Sequence, residues 1–204
     1  MKNLLFIPCY NDVINCKKIL REIEFNYNYN FDILIINDGS KENFEFTSNK
    51  FDVKIINLKN NYGIGFGVKF AINYALKNNY KKLCRIDSDG EHDPLYIDGI
   101  LTKLDNSDFI IGERSINYRE DIVKTFSKKI LTFLINKFFK LKFADFNCGM
   151  MGFNSKSMKI ISSINLINYP EPQIIIELCS RNLDYEIVHI KQRKRYFGNS
   201  SINF

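Results

Sequence analysis

Short apolar runs alternate with longer stretches of helical period through nearly all of this chain, and few architectures accommodate that rhythm. LLFIP (4–8), FDILIIND (31–38), VKIINL (53–58), KLCRID (82–87) and DFIIG (108–112) read as strands, and residues 13–25, 65–78 and 95–104 read as helices between them. Further on, CGMMGF and YEIVHIK read as strands, and the segments 155–163 and 171–182 as helices. Strands joined through helices run in the same direction and carry the helices on both faces of the sheet. The reading is therefore α/β, with a mostly parallel sheet flanked by helices. Ligands of such sheets collect at the carboxyl ends of the strands. The polar clusters CYND, NDGS and DSDGEHDP each follow a strand end, so they are predicted to converge on one edge.

A length of 204 residues suits one domain, 1–204. With 45% hydrophobic and 25% charged residues the chain has a globular balance, not that of a disordered one. The net charge of +6 would suit an anionic partner, or simply a basic soluble surface. Five cysteines without a CxxC and only two histidines speak against a zinc site and fit a reducing cytoplasm. The start, MKNLLFIPCY, is too short in apolar residues for a secretory leader, and no run is long enough to span a bilayer. Membrane contact is then expected only at the surface. A helix expected over 122–141 carries Phe126, Ile130, Phe133, Leu134, Phe138 and Leu141 on one face. It reads either as a helix packed on the sheet or as a peripheral contact with the inner face of a membrane. No nucleic-acid-binding module is present, and the acidic cluster would repel a polyanion.

The chemistry concentrates in CRIDSDGEHDP, where Asp87, Asp89, Glu91 and Asp93 follow a strand. Alternate residues of an extended segment point the same way, so Asp87, Asp89 and Glu91 can aim three carboxylates at one point. Such a cluster is costly without a cation, and Mg²⁺ or Mn²⁺ takes oxygen ligands and shares them with phosphates. An EF-hand is excluded, because His92 and Asp98 stand where that loop needs Gly and Glu. The competing reading is a solvated acidic turn, with Asp93 capping a helix that begins near Pro94. In NYGIGFG, Gly63, Gly65 and Gly67 open a helix where backbone can approach a ligand, but Val68 breaks the dinucleotide fingerprint. NDGS, alone, is an ordinary turn and cap. The basic tail KQRKRYFGNSS is either a surface strand or a phosphate clasp.

Taken in order, IPCYND (7–12), INDGS (36–40), NYGIGFG (61–67), DSDGEHDP (87–94), GER (112–114), ADFNCGMMGF (144–153), Glu177 and RYFGNS (195–200) resemble glycosyltransferase family 2. Within it the likeness is to the polyprenol-phosphate (dolichyl-phosphate) sugar synthases. The resemblance implies a GT-A, Rossmann-like fold, a UDP- or GDP-sugar donor and a divalent metal. It implies nucleotide contacts at Pro8, Tyr10, Asp12, Asp38, Asn61, Gly63 and Asp87, and metal ligands at Asp87, Asp89 and Glu91. Arg114, Lys128, Arg195 and Ser200 are expected at the diphosphate or the acceptor phosphate, with Gly198 in the same RxxGxS segment. Two departures stand out: Lys128 replaces an arginine and so loses the bidentate fork, and Ser201 stands where a lysine commonly follows the serine. The implied reaction is inverting transfer with Asp89, Arg114 and Arg195 in the catalytic set. A polyprenyl phosphate acceptor needs no general base. A saccharide hydroxyl acceptor does, and Asp145 is the candidate, with a structural hydrogen-bonding role as its alternative. A non-catalytic sugar-nucleotide binder is the rival from another class.

Overall fold

The computed structural model describes residues 2–26, 30–114, 132–133, 136–137 and 143–196. Along the chain come β1 (Asn3–Cys9), α1 (Val13–Asn26), β2 (Asp32–Asn37), β3 (Val53–Asn57), α2 (Ile64–Lys77), β4 (Lys82–Arg85), α3 (Tyr96–Lys103), β5 (Phe109–Arg114), β6 (Met151–Asn154), α4 (Ser155–Ser163), α5 (Pro170–Ser180) and β7 (Tyr185–Ile190). The strands form one seven-stranded sheet in the order β3-β2-β1-β4-β6-β5-β7. The periodic segments that fall within the described residues are the elements they were read as, with ends shifted by up to three residues.

Period-two alternation decides which side of the sheet each strand residue covers. Leu4, Phe6, Leu34, Ile36, Leu83, Phe109, Ile111, Met151 and Phe153 face one core, with Val68 and Ala71 of α2, Met158 of α4 and Ile174 of α5. Their neighbours Leu5, Ile7, Ile33, Ile35, Cys84, Ile110 and Met150 face the other, with Cys16 and Ile19 of α1 and Ile97 of α3. Both sheet faces are thus buried, which is why the strands read as continuous apolar runs. Each large side chain sequestered this way contributes about 1.5–3 kcal/mol.

Two local details shape the cleft edge. Pro8 lies within the central strand β1, yet β4 pairs only with Asn3–Phe6, so Pro8 sits past that ladder. Its missing N–H therefore costs no pairing on that side. The other detail is β6, which runs antiparallel to β4 and β5. The chain leaves the sheet at Arg114 and re-enters at Met151 on the same edge, so its re-entry must run backwards. The glycines of NYGIGFG also meet another part of the chain. A Cβ on Gly63 would lie 2.2 Å from Asn168 Oδ1, and one on Gly65 would lie 2.2 Å from the Ile167 carbonyl oxygen. The close approach they permit is to the chain's own 166–168 segment.

Among the described residues no helix is long and apolar enough to cross a membrane. The helix expected at 122–141, and Lys128 with it, lies outside the described residues apart from 132–133 and 136–137.

Candidate active site

The polar turns after β1, β2 and β4 meet, as their places in the sequence predict. Asp38 N–H donates to the Cys9 carbonyl at 2.8 Å. Asn11 N–H donates to Ser40 Oγ at 2.8 Å, and Lys41 N–H to Asn11 Oδ1 at 3.1 Å. Asp12 is held on both oxygens, by Asn15 Nδ2 at 2.7 Å and by Ser88 Oγ at 2.9 Å. Ser88 is the middle residue of DSD, so Asp12 ties the first turn to the acidic loop. The Asp38 carboxylate receives the backbone N–H groups of Tyr62 and Gly63, each at 2.8 Å. Asp12 and Asp38 thus organise the loops of the cleft. Tyr10 is 45% exposed beside them, and Asn61 is exposed too.

In the acidic loop each carboxylate meets an arginine, and Asp89 and Glu91 share one. Arg85 Nη2 donates to Asp87 Oδ1 at 3.0 Å. Arg195 Nη2 donates to Asp89 Oδ2 at 2.6 Å, while Arg195 Nε lies 3.6 Å from Glu91 Oε1. Glu91 Oε2 also receives Gln192 Nε2 at 2.5 Å. The segment after β7 pairs with the loop through its backbone: Arg193 N–H reaches the Glu91 carbonyl at 2.9 Å and Tyr196 N–H the Asp89 carbonyl at 3.2 Å. Tyr196 lies against Gly90, where a Cβ would stand 2.4 Å from the ring, so only glycine admits this contact. The Tyr196 hydroxyl bonds Glu22 of α1. Arg193 also grips Glu22, at 2.5 and 3.0 Å, and reaches Asp93 at 3.2 Å. Asp93 caps the turn into α3 by accepting from Leu95 N–H at 3.0 Å, the capping role read from its place before Pro94.

The electrostatics divide the loop. Burial and the neighbouring charges of Asp87 and Glu91 raise the Asp89 pKa, against the opposing pull of Arg195. Burial also opposes ionisation of Asp87, but the Arg85 and Arg114 guanidinium groups outweigh it and hold its pKa below the ordinary carboxylate value. His92 is buried, and burial lowers its pKa. Its Nδ1 accepts the Asp87 N–H at 3.0 Å, so it serves as a neutral fastener at the base of the loop. Cys148 beside it has a thiol pushed up to about 12 by burial, which leaves it unreactive at neutral pH.

Arg114, at the end of β5, makes a two-pronged pair with Asp145, Nε to Oδ2 at 2.6 Å and Nη2 to Oδ1 at 3.1 Å. Asn147 N–H adds a third bond to Asp145 at 3.0 Å. Ser200 and Gly198 lie outside the described residues. Glu177 pairs with Arg181 on the exposed side of α5, away from these contacts. Two residues that sequence reasoning passed over meet beneath the acidic loop: Glu171 in the first turn of α5 and Arg85 at the end of β4, joined at 2.6 Å. The visible signal was an arginine two positions before the first aspartate, and a glutamate between two prolines at a helix start.

Among the described residues no three His, Cys, Asp or Glu side chains cluster closely enough to cage a metal ion. Glu91 is turned towards Gln192 and Arg195. A hard divalent ion that shares substrate phosphates uses only one or two carboxylates. Asp87 and Asp89, close enough for the charge of Asp87 to help raise the Asp89 pKa, are the two residues that could hold such an ion.

A mostly parallel sheet with one reversed strand, flanked by helices and with loops gathered at its carboxyl edge, is the GT-A arrangement. The glycosyl transferase family 2 description matches residues 5–161, and the chain belongs to that family. It is 30% identical over 170 residues to an uncharacterized protein of Methanocaldococcus jannaschii, covering 76% of this chain and 73% of the relative. It is 26% identical over 170 residues to an uncharacterized glycosyltransferase of Synechocystis, covering 78% of this chain and 51% of that one, so it spans about half of that relative's length. Among solved structures, glucosyl-3-phosphoglycerate synthase from Mycobacterium tuberculosis, in complex with Mn²⁺, UDP and phosphoglyceric acid, superposes with a TM-score of 0.73 at 12% identity, over 97% of this chain and 72% of that one. S. aureus TarS 1–349 in complex with UDP-GlcNAc gives 0.63 at 14% identity, over 95% of this chain and 59% of that one. At these identities the two structures establish the shared fold.

Proposed function

We propose that this protein transfers a sugar from a UDP- or GDP-sugar to a polyprenyl phosphate, with inversion and with Mg²⁺ or Mn²⁺ at Asp87 and Asp89. The observation that carries the choice of acceptor is the state of Asp145. Its carboxylate, the candidate general base, is committed to both prongs of Arg114 and to Asn147 N–H. An acceptor already ionised at neutral pH needs no base, and a phosphate oxygen meets that requirement.

In this reading the turns held by Asp12 and Asp38 seat base and ribose, with Pro8, Tyr10, Asn61 and Gly63 shaping that pocket. When bound, the divalent ion supplies Lewis-acid stabilisation of charge on the diphosphate. The acceptor oxygen attacks the anomeric carbon as the bond to the nucleoside diphosphate breaks, and the electron pair leaves on the β-phosphate oxygen. Arg195, held by Asp89, exchanges that partner for phosphate oxygens, since guanidinium binds both anions with the same fork, while Arg114 stays on Asp145 and adds its positive charge beside the diphosphate. Lys128 and Ser200 belong to the same phosphate-binding set. The amphipathic segment 122–141 gives the lipid acceptor a peripheral membrane contact.

The test has two stages. Thermal shift with Mg²⁺ or Mn²⁺ and a panel of UDP- and GDP-sugars identifies the donor, which raises the melting temperature. Transfer is then assayed with undecaprenyl phosphate and with saccharide acceptors. Label moving to the lipid phosphate supports the reading. Transfer to saccharides alone moves the base back to Asp145, and intact donor with every acceptor leaves a binding domain.

A further inference from the structure

Arg85 is only 4% exposed, yet it carries a full charge beneath the acidic loop. A buried guanidinium is stable only with partners, and this one divides itself between two carboxylates. Nη1 donates to Glu171 Oε1 at 2.6 Å, and Nη2 donates to Asp87 Oδ1 at 3.0 Å. Its Nε is buried and has no partner among the described residues. The fork is therefore spread between two sites and not closed on either one. The two carboxylates differ in exposure: the Glu171 side chain is 11% exposed, that of Asp87 33%. On its other side Asp87 is closed in by Gly149, where a Cβ would stand 2.3 Å from Oδ2.

The charges matter more than the contact. Arg85 with Asp87 alone would be a neutral pair, and Asp87 would offer little to a divalent cation. Glu171 takes half of the guanidinium and returns the trio to a net charge of −1, with Asp87 the more exposed of its two carboxylates. We propose that Arg85 and Glu171 are positioning residues that fix the Asp87 carboxylate from below and preserve its charge for the metal–nucleotide complex. Helix α5 thereby acts on the active site, through a partner 86 residues away in sequence from Arg85. The inference rests on the metal-site reading above.

Isothermal titration of UDP and of GDP, each with and without Mn²⁺, tests it on Glu171→Gln, Glu171→Asp and Arg85→Lys. Glu171→Gln removes the balancing charge. It is expected to weaken Mn²⁺-dependent nucleotide binding by about tenfold, the usual effect of losing an outer-shell partner. Metal-free nucleotide binding should hold or tighten, because the site becomes more positive. Glu171→Asp keeps the charge and should retain most of the Mn²⁺ effect despite looser packing. Arg85→Lys keeps charge without the fork and should weaken Mn²⁺-dependent binding at little change in melting temperature. A purely structural bridge predicts a lower melting temperature in all three variants, with Mn²⁺-dependent binding as in the wild type, and that result overturns the proposal. If Glu171→Gln does not fold, the other two variants decide between the same outcomes. If the wild type binds neither nucleotide with Mn²⁺, the functional reading itself has failed, and this inference falls with it.

Discussion

Each end of the sheet holds an aspartate in a crowd of polar groups, and the two ends treat it in opposite ways. At the amino edge, Asp108 receives Asn154 Nδ2 at 3.0 Å, Lys156 Nζ at 2.6 Å and Asp184 N–H at 3.1 Å. Its own carbonyl accepts Ser157 Oγ at 2.7 Å, so one residue joins β5, β6, α4 and the start of β7. Burial opposes its ionisation, but Lys156, Asn154 and the Asp184 N–H prevail, and its pKa falls. At the carboxyl edge the partly buried Asp89 lies among like charges, and its pKa rises. A carboxylate saturated by donors is a structural joint. Carboxylates crowded beyond their donors require a cation, and such groups gather where chemistry happens.

Replacing Asp89 with Ala should produce the largest effect in the molecule, a fall in transfer of at least about two orders of magnitude. Relief of the crowding should leave the melting temperature within a few degrees of wild type. The comparison breaks if this variant keeps its turnover, or if it unfolds as readily as an Asp108 variant. Asp108→Ala should do the reverse, since it strands an ammonium and two N–H donors. A loss of about 3 kcal/mol in chemical denaturation is expected, with nucleotide affinity unchanged in the folded fraction.

Acidification should separate the two regions. Asp108 is depressed in the folded protein, so its stabilisation is complete above the ordinary carboxylate pKa and disappears as pH falls through its lower folded value. Asp89 is raised, so its charged form costs stability at neutral pH, and that cost is relieved as it protonates. Falling pH therefore discharges Asp89 first. Mn²⁺-dependent nucleotide binding should be lost at a higher pH than the fold, measured by titrating binding and melting temperature together. Loss of both at one pH would erase the distinction. The smallest effect is expected at Glu177→Gln. Its partner Arg181 lies one helical turn away on an exposed surface, so the change should be under about 0.5 kcal/mol and leave nucleotide binding alone. A strong loss of binding would return Glu177 to the site.

Much of the fold was legible because strand and helix periods are local properties, read over a few residues. The site was legible in part. DSDGEHDP announced a concentration of carboxylates behind a strand, and Asp93 with Pro94 announced a cap, since both depend on near neighbours. The basic tail was less transparent: Arg193 and Arg195 turn out to hold Glu22, Asp93, Asp89 and Glu91. Glycine at 63 and 65 permits closeness without saying to what, and the partner is the 166–168 segment. Glu171 went unnoticed because its meaning depends on Arg85, a residue with no local relation to it.

From sequence alone follow the two-faced sheet, the edge where its polar turns assemble and the excess of carboxylate at the end of β4. These are consequences of periodicity and covalent order. Tertiary structure alone decides which cation each carboxylate meets. Arg195 reaches Asp89 across 106 residues, and Arg85 reaches Glu171 across 86. Coulombic and hydrogen-bonding energies depend on distance in space, and a linear sequence does not carry that distance until the sheet brings its ends together.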